Sequence, residues 1–164
     1  MEQESPTTWL VVIGASAGGI DALSRLVATL PPSFPAPIVI AQHLDPSRIS
    51  HLADILQRAS PVPVQTVANQ TPLAAGTIYV VPANRHVTLT DHELRLSADD
   101  NQGRSKPSID RLLSSAAQVY GEHLITVILT GTGSDGAAGA RQVKEVDGTV
   151  IVQNPETAQY PGMP

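Results

Sequence analysis

The sequence predicts an α/β fold, a doubly wound, mostly parallel sheet with helices on both faces and a β-hairpin at an edge. Three observations carry this expectation. Short, almost wholly apolar runs recur at "WLVVIG" (9–14), "PIVIAQH" (37–43) and "HLITVILTG" (123–131), and a strand covered on both faces reads as a continuous apolar run rather than an alternating one. Segments between them return apolar residues at helical spacing. Clusters of glycine and alanine follow the first and last of these runs, where a strand must bend sharply into a helix. At 164 residues, 41% of them hydrophobic, the chain is long enough for one domain with a sizeable core.

Residues 9–14 predict the first strand. Ile20, Leu23, Leu26, Val27 and Leu30 then share a helix face until Pro31-Pro32 stop it, because proline lacks the helical N–H donor. Residues 37–43 give a second strand. Asp45-Pro46-Ser47 open a second helix with Ile49, Leu52, Ala53 and Leu56 as its stripe, proline being favoured at a first helical position. Residues 62–67 and 77–82 read as further strands. Residues 86–98 alternate about an Asp91-His92 turn, as a hairpin does. Ser108 caps a helix that places Ile109, Leu112, Leu113 and Ala116 on one face and stops at Gly121. After the strand at 123–131, a second small-residue loop (131–140) leads into a helix reaching about Val146, and 148–154 form the last strand. Residues 1–8 are a polar N-terminal extension and 9–164 the domain.

Composition narrows the function. Charged residues are 15% of the chain and the formal net charge is −5, so the attraction that drives binding to nucleic acid or anionic lipid is missing. There is no cysteine, which removes disulfides and thiolate nucleophiles. No apolar run approaches the roughly 18 residues that span a bilayer. The expectation is a cytoplasmic domain with no nucleic-acid partner, no membrane insertion and no cofactor.

Ligands of open α/β sheets sit outside the carboxyl ends of the strands. Three reactive side chains fall there: Ser16 after the first strand, His43 at the end of the second, and Asp135 just past residues 123–131. Gly14-Ala15-Ser16-Ala17-Gly18 matches G-x-S-x-G, which exposes a serine on a tight strand-to-helix turn. By itself the pattern also fits a helix cap or a phosphate loop. His43 has rivals in His51, His92 and His123, which read as solvated or structural, and in His86, which also follows a strand's carboxyl end and is a candidate to line the pocket. Asp135 sits at a helix start, so capping competes with catalysis. Gly131, Gly133, Gly136 and Gly139 around it exceed what a cap requires.

The three groups make a coherent chemistry. A serine hydroxyl needs an imidazole to take its proton, and the imidazole needs a carboxylate to fix its tautomer. Backbone N–H groups of Ala17 and of Thr132 are the expected oxyanion donors, each typically worth about 3 kcal/mol. No H-E-x-x-H pattern or clustered ligand set points to a metal. A nucleotide-binding reading stays as the alternative: "GASAGG" imitates G-x-G-x-x-G with Ser16 where a glycine would approach pyrophosphate.

"IGASAGG" (13–19), "IAQHLDP" (40–46) and "ILTGTGSDGAAG" (128–139) together resemble the catalytic domain of CheB-type chemotaxis receptor protein-glutamate methylesterases. Weaker echoes are "VPANRHVTL" (81–89), "KPSIDRLL" (106–113) and "IVQNPETAQYPGMP" (151–164). The resemblance implies hydrolysis of glutamate γ-methyl esters on the cytoplasmic helices of methyl-accepting chemoreceptors, often with deamidation of glutamines there. It also implies that the family's serine, histidine and aspartate map onto Ser16, His43 and Asp135. Ala17 stands where threonine is frequent, Thr132 where methionine is, and Lys106 replaces a usual arginine. The eight residues before Trp9 are too few to hold a receiver domain in the given sequence, and the resemblance implies that family members usually continue beyond "GMP". The stretch "QHLDPSRISHLADIL" looks more like methylesterase–methyltransferase fusion proteins, which implies a methyltransferase domain in the same full-length chain. A catalytically weak binding module of the same fold is the remaining alternative.

Overall fold

A computed structural model describes residues 8–44, 50–83, 85–97 and 108–164. The first strand, β1 (Leu10–Ala15), is buried at all six positions, and β2 (Ile38–Gln42) at all five. Helix α1 (Gly19–Ala28) connects them, turning on Gly18 with φ 77°, a conformation glycine adopts at no steric cost. The chain continues through α2 (Leu52–Ala59), β3 (Val64–Thr66), β4 (Gln70–Pro72), β5 (Ile78–Val80), β6 (Val87–Thr90), β7 (Glu93–Leu96), α3 (Ile109–Tyr120), a 3₁₀ turn (Gly121–His123), β8 (Leu124–Ile128), α4 (Ala137–Glu145) and β9 (Thr149–Val152). Asp45-Pro46-Ser47 and Ile49, expected to open α2, lie outside the described residues, as does Lys106; His51 stands at the N-cap position.

Six strands form one sheet in the order β3-β5-β2-β1-β8-β9, every neighbouring pair parallel. Alternation along β1 divides the core. Val11, Ile13 and Ala15 face α1 and α2 with Leu23, Val27, Leu52 and Leu56. Leu10 and Val12 face the other layer with Ile109, Leu112, Leu113 and Val143 of α3 and α4. Removing a leucine side chain of this kind from water contributes about 1.5–3 kcal/mol. Ile20, expected on the buried face of α1, is instead 38% exposed.

The predicted hairpin is present, and its turn residues Asp91 (φ 47°) and His92 (φ 66°) are both left-handed, as a two-residue hairpin turn of matching twist requires. It does not extend an edge of the parallel sheet. Strand β4, which is too short and polar to announce itself, joins it in a separate antiparallel sheet ordered β4-β7-β6. The reason is apolar: Val87, Leu89 and Leu94 share a core with Leu112 and Leu113, and Ser115 Oγ of α3 accepts the Leu89 N–H at 2.9 Å. The parallel sheet therefore ends on β3 and β9.

Strand order reverses at β1, which has β2 on one side and β8 on the other. That switch point opens a crevice at the carboxyl ends of these strands.

Candidate active site

Ser16 follows β1 directly. Its N–H donates to Thr130 O at 3.0 Å, and its carbonyl accepts the Gly19 N–H at 2.8 Å, so the turn is pinned from both sides. Among the described residues only Asp91, His92 and Asp147 are non-glycine residues at positive φ. The left-handed step of this G-x-S-x-G turn thus falls on Gly18 and leaves Ser16 unstrained. A Cβ on Gly131 would lie 2.8 Å from Ser16 Cβ. Glycine there lets the loop after β8 lie directly on the serine, which accounts for part of the glycine content of that loop.

Across β1, the His43 N–H donates to Ala15 O at 3.0 Å, and Nε2 of the ring lies 2.7 Å from Asp135 Oδ2. Both side chains are nearly buried, 17% and 15% exposed. Ser16, Gly18, Gln42, His43, Leu44 and the exposed Ile20 line a cleft of about 480 Å³. The structure therefore brings Ser16, His43 and Asp135 to one rim. Ser16 Oγ makes no hydrogen bond to a described residue. With the carboxylate on Nε2, the ring nitrogen left to take a proton is Nδ1, the reverse of the commonest triad usage. Among the described residues, the N–H groups of Ala17 and Thr132 make no hydrogen bond, leaving both donors to a ligand.

Asp135 is a cap as well as a partner of His43, and the helix it caps is not its own. Oδ2 accepts the Ile109 N–H and Oδ1 the Asp110 N–H, both at 2.9 Å, at the N-terminus of α3. Asp110 returns the arrangement: its Oδ1 accepts from Gly136 N at 2.9 Å and Gly139 N at 2.7 Å at the start of α4. Each helix start is capped by a carboxylate from the other. Burial pushes the Asp135 carboxyl upward, but the His43 hydrogen bond and the N–H groups of Ile109 and Asp110 outweigh it and hold it below its ordinary value. Asp110 is held above its ordinary value, first by burial and then by the nearby Asp135 charge, against the Gly139 and Gly136 N–H bonds. The carboxylate touching the histidine is the one kept ionised.

His86 does not line the cleft. It is 2% exposed, and its Nδ1 accepts the Ser108 N–H at 3.1 Å, supporting the α3 start from behind. The pocket expectation for it is corrected, because its ring is buried against the start of α3 rather than open to the cleft. His51 is exposed, His92 lies edge-on to Tyr120, and His123 lies edge-on to Trp9. Among the described residues no three His, Asp or Glu side chains converge as metal ligands.

The sequence pattern assigns no role to Thr130 or to the tail. Thr130 Oγ1 lies 3.0 Å from Ala17 O and accepts the Tyr160 N–H at 2.8 Å. Gly131 N–H donates to Tyr160 O and Met163 N–H to Gly131 O. Residues 153–163 thereby brace the loop carrying Thr132. The echo in "IVQNPETAQYPGMP" was the signal available, and it carried no geometry. Gln42, next to His43, likewise has no role that the sequence pattern assigns: its Nε2 donates to Ser16 O at 2.7 Å and His43 O at 3.0 Å.

Known proteins share this fold. A solved structure of the Thermotoga maritima CheB methylesterase catalytic domain superimposes with a TM-score of 0.87 at 36% identity, covering 94% of this chain and 84% of that one. A Leptospira interrogans relative is 39% identical over 155 residues, 94% of this chain and 80% of its own length. A protein-glutamate methylesterase/protein-glutamine glutaminase of Anaeromyxobacter dehalogenans is 39% identical over 154 residues. This chain spans 45% of that relative's length. The family profile described as CheB methylesterase matches residues 11–164. With the family profile, these relatives and the solved fold in agreement, the chain belongs to the CheB methylesterase family.

Proposed function

We propose that this chain is a serine hydrolase that removes methyl groups from glutamate γ-methyl esters of chemoreceptors, with Ser16 as nucleophile, His43 as base and Asp135 as orienting carboxylate. The observation that carries the reading is the 2.7 Å contact from His43 Nε2 to Asp135 Oδ2 on the rim that also holds Ser16. Ser16 Oγ attacks the ester carbonyl as His43 Nδ1 takes its proton. The tetrahedral oxyanion is received by the N–H groups of Ala17 and Thr132. The imidazolium, stabilised by Asp135, returns the proton to the departing methanol. Water then attacks the acyl-enzyme by the same proton route, releasing the glutamate carboxylate. A glutamine side chain fits the same sequence with ammonia as leaving group, in keeping with the paired activities named for the Anaeromyxobacter relative.

The nucleotide alternative is disfavoured by Gln42. A dinucleotide site places an acidic group near this point to hold a ribose, and here the strand-end side chain turns inward onto Ser16 O. Receptor helices as partner, a cytoplasmic location and a methyltransferase domain in the full-length chain belong to the same proposal. Among the described residues no helix is long and apolar enough to cross a membrane. The test is methanol release from a carboxymethylated receptor fragment, with mass spectrometry of the chain for acylation at Ser16. Turnover with Ser16 acylated is expected; turnover undiminished in Ser16→Ala overturns the assignment.

A further inference from the structure

Gln42 ends β2 and is 4% exposed. We propose that it is a positioning residue whose amide clamps the main chain of Ser16 to that of His43, an inference that rests on the serine-hydrolase reading above. Nε2 sends one hydrogen bond to Ser16 O at 2.7 Å and another to His43 O at 3.0 Å. Two carbonyl oxygens can be bridged by an NH₂ group, which has two donors, but not by a carboxylate, which has none.

Two further observations separate a clamp from mere filling. Oε1 is buried and has no hydrogen-bond partner among the described residues, a defect that native interiors seldom keep without a reason. An apolar side chain would fill the space without it. A Cβ on Gly19 would collide with Oε1 and lie 2.8 Å from Ala15 Cβ, so the first residue of α1 is glycine where the amide needs room.

The clamp acts where the sheet stops. The Ala15–Gln42 pair closes the β1–β2 register, and the His43 N–H to Ala15 O bond at 3.0 Å is the final rung. Beyond it Ser16 and His43 leave on separate loops, and the Gln42 amide joins their carbonyls. Because Ser16 Oγ and the ring are not hydrogen-bonded to each other, their approach depends on how these two main-chain segments are held. Displacements of about 1 Å at such a site cost rate on the order of 100-fold.

The experiment compares the wild-type chain with Gln42→Met, which keeps the length and loses both donors, and Gln42→Glu, which sets acceptors against two carbonyls. Ser16 labelling by an alkyl fluorophosphonate is followed by intact mass, alongside kcat and KM for methanol release and a thermal melt of each protein. Labelling rate and kcat are expected to fall on the order of 10- to 100-fold in Gln42→Met with KM within about twofold. Gln42→Glu should fall at least as far. Labelling of Gln42→Met within about twofold of wild type, or a loss accounted for by its unfolded fraction, overturns the clamp alone. If one variant fails to fold, the other decides by the same readings. A wild-type chain that is neither labelled at Ser16 nor active removes the hydrolase reading, and the clamp with it.

Discussion

His43 and His86 leave neighbouring strands of one sheet, and both end up against the start of α3, yet they do opposite things. His43 meets the α3 N-terminus through Asp135, with its ring on a carboxylate that also accepts from Ile109 and Asp110. His86 meets it directly, with Nδ1 accepting from Ser108 N. A ring nitrogen that accepts a hydrogen bond carries no proton, whereas a ring whose N–H faces a carboxylate can hold a second proton once its other nitrogen receives one. Position at a strand end nominates a histidine for catalysis; access to the cleft decides, which His43 lines and the buried His86 does not reach.

Ser16→Ala and His43→Ala should each lower kcat by about 10⁴-fold or more; Ser16→Ala should melt close to wild type, whereas His43→Ala, which strips Asp135 of its 2.7 Å partner, should cost about 1–3 kcal/mol of stability. Methanol release and thermal melts check this, and retained turnover in His43→Ala would transfer the base role elsewhere. Asp135→Asn comes next. An amide cannot accept from both Asp110 N–H and Ile109 N–H while also receiving the His43 proton, so kcat should fall about 10²–10⁴-fold and stability by about 1–3 kcal/mol. A stability loss with unchanged kcat would reduce Asp135 to a cap.

His86→Leu should show the reverse signature. Leaving the Ser108 N–H unpaired costs about 1–3 kcal/mol of stability, while kcat of the folded fraction stays within about threefold of wild type. A collapse of kcat with an unchanged melt would return His86 to the site.

Asp135 has a depressed folded pKa, so its contribution is complete above its unfolded value, near 3.8, and is lost as pH falls through the folded one. Wild type should therefore lose more melting temperature than Asp135→Asn as pH falls from about 5 to 2; parallel loss would show that the carboxylate is not held ionised by the fold. The smallest effect is expected of Asp110→Asn, which keeps an Oδ1 acceptor for Gly136 and Gly139 and removes repulsion of Asp135. Its stability should stay within about 1 kcal/mol of wild type, and a larger loss would mean that the charge itself holds α4.

Apolar pattern and residue order were enough to set the layers and the edge at which chemistry gathers. Continuous apolar runs require cover on both faces, and parallel strands send every loop of one kind to the same rim, so Ser16, His43 and Asp135 could be nominated without coordinates. Pattern and order did not carry the pairings that give them their roles. That Asp135 caps α3, that Asp110 caps α4, that Gln42 bridges two carbonyls and that His86 faces inward all depend on contacts between segments distant along the chain. Periodicity and local motifs act over a few residues, whereas a hydrogen bond depends on where packing delivers two groups; only the tertiary structure makes that delivery.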